Sequence, residues 1–106
     1  MMKKIYEVYA PQQNSTLERF AQYLGSVGVN EFLPVPVKHC PQSYAIVIGH
    51  MSKVKISYSG DCRPSEEFAK AALNSTLLIH EATFGDDLQE NAIDNMHSTV
   101  GEALDM

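Results

Sequence analysis

The sequence predicts an α/β layered fold, because segments patterned as strands alternate with segments patterned as helices. Three observations carry this expectation: a capped helical repeat before residue 25, two β-branched runs separated by a short turn, and a proline-led helical stretch followed by another apolar run.

Ser15 and Glu18 form a capping box, and Leu17, Phe20, Ala21 and Leu24 recur at helical spacing, so an amphipathic helix is expected over residues 15–24 with Gly25 as its stop. Between residues 27 and 37, Gly28, Pro34 and Pro36 predict a connector leading into an extended edge segment that ends at His39, since proline cannot donate to a sheet ladder. Residues 44–48 are continuously apolar, and Val54, Ile56 and Tyr58 alternate with Lys55 and Ser57. With residues 49–53 as the turn, this is a β-hairpin. Pro64 is expected to open a helix from its first turn, with Phe68, Ala69, Ala72 and Leu73 facing inward and Asn74-Ser75 closing it. Residues 76–79 read as a short buried strand. A polar loop around Gly85-Asp86-Asp87 precedes a helix through Leu88, Ala92 and Ile93 that reaches toward Met96, and Thr99 with Glu102 makes a second capping box. That last helix starts at a good cap but reaches Met106 after about two turns without a stop signal, so the sequence is expected to be cut from a longer domain.

Composition bounds the function. With 106 residues, 44% apolar and 20% charged, the chain is one globular domain or part of one. A net charge of −5 excludes a self-sufficient RNA-binding surface, which needs a basic field, but leaves room for an acidic pocket whose sign is reversed by bound cations. The longest apolar runs, such as residues 44–48 and 77–79, fall far short of the roughly 20 residues a membrane helix needs. Lys3 and Lys4 are followed by Glu7, which interrupts any secretory leader. Cys40 and Cys62 form no CxxC pair and read as free thiols. His50 is expected to be exposed in the hairpin turn, and the five methionines to serve packing.

Three polar clusters stand where strands hand over to loops. His39 precedes the hairpin; a lone histidine there is more often a satisfied polar residue than a metal ligand. In Ser59-Gly60-Asp61 the glycine permits a sharp turn and the aspartate offers two oxygens to cations, although a turn aspartate capping the next helix explains the same residues. His80-Glu81-Ala82-Thr83 and His97-Ser98-Thr99 place titratable groups at the sheet rim and at a helix start, where a histidine beside a phosphate site can protonate a leaving oxygen.

The words His39-Cys40-Pro41, Tyr58-Ser59-Gly60-Asp61, Leu77-Leu78-Ile79-His80-Glu81-Ala82-Thr83-Phe84 and His97-Ser98-Thr99, in that order, resemble the long-form tRNase Z family from about residue 32 to residue 104. The resemblance implies part of a four-layer αββα metallo-β-lactamase sandwich, with residues 1–31 a variable connector bearing one amphipathic helix and residues 32–106 a partial domain. It implies His39 and Asp61 as ligands to a pair of zinc ions, Asp61 bridging them, and His97 as the group assisting the departing oxygen, with His80 and Glu81 shaping the wall behind it. The implied activity is cleavage of precursor tRNA after the discriminator nucleotide, in the nucleus or mitochondrion. The interval between His39 and Asp61 holds only a hairpin, as in long forms, where short forms carry a tRNA-gripping arm.

The sequence also departs from the family. It contains no HxHxDH word, which would have to come from a missing N-terminal half, and it stops before the final ligand histidine. Two ligands alone cannot hold two zinc ions, so the isolated chain is expected to be inactive. Cys62 stands where threonine is common, and Ala45 where glycine is. The alternative reading is an inactive truncated remnant that acts by binding.

Overall fold

A computed structural model of the protein describes residues 14–106. The basic start with Glu7, and the side chains of Ser15 and Leu17, lie outside the described residues. The order of elements is α1 (Asn14–Ser26), β1 (Val29–Pro36), β2 (Tyr44–His50), β3 (Lys55–Tyr58), α2 (Glu66–Ala71), β4 (Leu77–Ile79), a 3₁₀ turn (Asp86–Leu88), α3 (Gln89–Asp94) and α4 (Val100–Leu104).

One four-stranded sheet runs β1-β2-β3-β4. The first two pairings are antiparallel, and β4 joins β3 in parallel after the α2 crossover. β1 is an outer strand, which is what lets Pro34 and Pro36 sit in it. The expected connector is thus a strand over most of its length, and the expected boundary at residues 31 and 32 falls inside it.

Register decides which side chains share a face. Val35 pairs with Ala45, and Leu33 with Val47, opposite Ser57; this face packs on Phe68 of α2 and on Ala72 at its C-cap. Phe68 is fully buried, and truncating such a ring typically costs about 3–5 kcal/mol. The opposite face carries Phe32, Ile48, Ile56 and Leu77 in one row and Pro34, Ile46, Tyr58 and Ile79 in the next. Phe20 of α1 meets Phe32 edge-on at 5.5 Å, but Ile56, Tyr58, Leu77 and Ile79 remain exposed.

Several local expectations shift. α1 runs on to Ser26, through Gly25, and the turn comes at Gly28 (φ +84°), whose carbonyl accepts from Met51 N–H. Only a residue tolerant of positive φ can make that turn, whereas glycine inside a helix costs about 1 kcal/mol and is carried by the rest. Ser65, not Pro64, caps α2, because its hydroxyl accepts from Phe68 N–H while Pro64 stays outside the helix. Leu73 lies past the end of α2 and is exposed. β4 is exposed along its length rather than buried, since it is the far edge of the sheet. His50 is half-buried: its Nε2–H donates to the Val27 carbonyl at 3.0 Å, and its Nδ1 accepts from Ser52 N–H at 3.0 Å. Among the described residues no helix is long and apolar enough to cross a membrane.

Candidate metal centre

Four loops meet at one end of the sheet. After β1 the chain turns through residues 37–43, where Val37 N–H donates to Ser43 and the loop delivers His39. After β3, Gly60 adopts φ +60° with no room for a side chain, because a Cβ there would stand 3.0 Å from the Tyr44 carbonyl. That turn presents Asp61. After β4 comes Glu81, and before α4 come His97, Ser98 and Thr99, stitched to Phe84 by a short parallel bridge.

His39 and Asp61 face each other with Nε2 and Oδ2 4.0 Å apart. His39 donates its Nδ1–H to the Met96 carbonyl at 2.8 Å, which fixes the tautomer and leaves the Nε2 lone pair for a ligand. Met96 offers that carbonyl from a left-handed conformation (φ +56°) just past α3. Zinc lies about 2.0–2.2 Å from nitrogen and oxygen donors, so two donors on one ion can stand up to about 4 Å apart. The donor set therefore fits zinc, with a borderline-soft nitrogen and a carboxylate side by side. His97 joins the pair: one ligand atom from each of His39, Asp61 and His97 lies within 4.8 Å of the others, and the two imidazole centroids are 4.8 Å apart.

Behind His97 stands Glu81, whose side chain is only 7% exposed. His97 Nδ1–H donates to its Oε1 at 2.6 Å, and Cys62 N–H donates to the same oxygen at 2.9 Å. The other oxygen accepts from Ser98 N–H at 3.0 Å, Thr83 N–H at 3.1 Å and the Thr83 hydroxyl at 3.0 Å. Burial alone would raise this carboxyl, but the Ser98 and Cys62 amides, with His97 and Thr83, outweigh it and hold it at about 2. Glu81 is thus a fixed anion that orients the His97 ring, and Nε2 has no bond among the described residues. Burial, reinforced by the Glu81 charge, pushes the Cys62 thiol up to about 11, so the sulfur stays protonated and inert.

His80 is not brought to this group. Its Nδ1 bonds the Glu81 carbonyl at 2.7 Å, and its ring lies 6.1 Å from that of Phe68. Adjacent residues of an extended segment point to opposite sides, which is why Glu81 enters the pocket and His80 leaves it.

Other residues, given no role of their own from the sequence, also enter the site. Ser59 is fully buried, and its hydroxyl accepts from Glu81 N–H at 2.9 Å. Ser98 is equally buried and donates to the Cys62 carbonyl at 2.7 Å. Arg63 reaches the His97 carbonyl at 2.6 Å and grips both oxygens of Glu102. Ser59 and Ser98 stand inside the quoted words, but residue type there does not separate a structural hydroxyl from a turn residue, and nothing local marks Arg63.

No family model matches the chain. It is 56% identical over 75 residues to Ribonuclease Z 1 of Schizosaccharomyces pombe, a match covering 71% of this chain and 9% of that protein. It is 41% identical over 100 residues to the mitochondrial tRNase Z TRZ3 of Arabidopsis thaliana, covering 85% of this chain and 11% of the relative. To the mouse Zinc phosphodiesterase ELAC protein 2 it is 38% identical over 98 residues, covering 92% and 12%. Among solved structures, a long-form RNase Z from yeast superposes with a TM-score of 0.74 at 31% identity, over 89% of this chain and 14% of that one. The chain therefore spans about a tenth of the length of the curated relatives it matches. With sequence and fold pointing the same way, this chain belongs to the long-form ribonuclease Z family, as a short segment carrying part of the metallo-β-lactamase fold.

Proposed function

We propose that the chain supplies one side of the active site of a zinc-dependent endoribonuclease that trims the 3′ ends of precursor tRNA. The single observation that carries this reading is the convergence of His39, Asp61 and His97 on one point, with His97 held by the Glu81 carboxylate. His39 and Asp61 would hold the metal, Asp61 as the carboxylate that the family resemblance assigns to a pair of ions. When bound, zinc would supply Lewis-acid stabilisation of the attacking and leaving oxygens of the phosphodiester.

His97 is the acid. Its Nδ1 is occupied by Glu81, so proton delivery to the departing 3′-oxygen falls to Nε2. Glu81 acts through His97 as a positioning residue, and His80 supports the same wall from its far side, against Phe68.

The site is one-sided, and the rest of it comes from a part of the protein bearing the HxHxDH word. The open apolar face of the sheet supports this: Ile56 with Leu77 and Tyr58 with Ile79 form an exposed patch of the kind a second sheet covers in a sandwich. The names of the relatives support zinc, tRNA and a mitochondrial location; nuclear residence follows from the family resemblance alone. Residues 32–106 are the part that carries the family's motifs.

The test is zinc content and cleavage after co-expression with the HxHxDH-bearing part. The assembled enzyme is expected to cleave a precursor tRNA in preference to a generic phosphodiester, and Asp61→Ala to lose zinc and activity together. Zinc at full stoichiometry in Asp61→Ala, or an assembled pair that holds no zinc at all, would rule the reading out.

A further inference from the structure

We infer that Arg63 is a positioning residue that locks the His97 loop in register with the His39–Asp61 pair. The inference rests on the reading of His97 given above. Three loops meet at this one side chain and its backbone. Arg63 lies two residues after Asp61, and its backbone N–H donates to the carbonyl of Lys38, the neighbour of His39, at 2.9 Å. The two proposed metal-ligand loops are therefore joined at Arg63 itself.

The guanidinium carries the connection onward. Nη1 donates to the His97 carbonyl at 2.6 Å and to Glu102 Oε2 at 2.9 Å, while Nη2 donates to Glu102 Oε1 at 2.7 Å. Glu102 is no loose surface acid. Its Oε2 also accepts from Thr99 N–H at 2.9 Å, completing the capping box that starts α4 two residues after His97. Gln89 donates to Glu102 Oε1 at 2.6 Å and ties in the first turn of α3. Both partners are about four-fifths buried, with 17% and 20% of their side chains exposed, and Arg63 and its companions hold the Glu102 carboxyl at about 2.

The geometry asks for arginine. A planar fork can hand two parallel donors to a carboxylate and still turn one N–H to a carbonyl, whereas a lysine ammonium is a point donor that cannot span both. Without the fork, the His97 backbone loses its buried donor. Ser98 N–H and the His97 ring, which both bind Glu81 from this loop, are then free to shift. Shifts of this kind behind a catalytic imidazole typically cost roughly ten- to a hundredfold in activity.

The test reads the His97 ring directly. In the wild-type chain the His97 Nδ1–H, held by Glu81, is expected to give a downfield, exchange-protected proton resonance. In Arg63→Lys the dispersed amide signals of β1–β3 should persist while that proton exchanges at least about tenfold faster. Glu102→Gln, which keeps a capping side chain but loses the charged partner, should move it in the same direction by less, and serves as the folded control should Arg63→Lys lose its amide dispersion. In the assembled enzyme Arg63→Lys is expected to lower kcat by roughly tenfold with KM and zinc content unchanged. An unchanged His97 proton in both variants, or no protected proton in the wild type, overturns the inference. Failure of the wild-type enzyme to cleave tRNA, with the resonance behaving as described, would instead strike the functional reading and leave the clamp standing.

Discussion

His50 and His97 sit at opposite ends of the same sheet, both half-buried and both hydrogen-bonded at Nδ1, yet only His97 stands in the candidate metal centre. At His50 each ring nitrogen is used by the backbone within its own corner: Nδ1 by Ser52 and Nε2 by the Val27 carbonyl. The ring is a staple between the hairpin turn and the end of α1. At His97 a buried carboxylate takes Nδ1, Nε2 has no bond among the described residues, and the ring stands 4.8 Å from that of His39 in a group that also holds Asp61. The lesson is that an imidazole becomes available for chemistry when one nitrogen is anchored by a fixed anion and the other is left over. Burial alone does not distinguish the two.

His97→Ala in the assembled enzyme should lower kcat by roughly 10²–10⁴-fold with zinc retained, whereas His50→Ala should leave kcat unchanged and cost about 1 kcal/mol of stability. Steady-state kinetics and thermal melts on the two variants check both halves. Equal kinetic losses would erase the distinction.

A second prediction sharpens the role of the anion. The Glu81 carboxyl is held at about 2 against an ordinary 4.5, so between these values the unfolded chain binds the proton more readily than the folded one. The stability it contributes is fully present above about pH 4.5 and is lost as the pH falls toward about 2. Glu81→Gln should make the acid slope of the melting temperature shallower, with Glu102, also held at about 2, supplying what slope remains. A variant whose acid slope matches the wild type would show that Glu81 is not held as described.

The smallest effect lies at the other end. Gly28→Ala places a Cβ against His50 Nε2 at a positive φ, and should destabilise by more than about 1 kcal/mol while leaving the His97 proton resonance unmoved. Movement of that resonance would mean that the two ends of the sheet are coupled.

Local patterns were legible where both partners lie within a few residues. The hairpin over β2 and β3 and the Thr99–Glu102 capping box stand as read, because alternation and i,i+3 capping are short-range rules. Pro64 misled, since Ser65 beside it is the better cap, and a proline just before a cap looks like a proline just after one. Gly25 misled because two glycines stood within reach of the helix end, and contact with the hairpin at Met51 selected Gly28. The strand after α2 read as buried from its apolar composition, but burial belongs to a strand's place in the sheet, and β4 is an edge.

Residue types and their order, taken alone, determined the alternation of elements, the family resemblance and the identity of His39, Asp61, Glu81 and His97 as candidates, because these rest on short words of sequence. The closed chain alone sets Glu81 facing inward while His80 turns to Phe68, Arg63 joining three loops, and His50 acting as a staple. Those outcomes depend on pairings between residues up to 39 positions apart, as for Arg63 and Glu102. No local rule encodes which carbonyl or carboxylate a side chain will meet once the chain has closed.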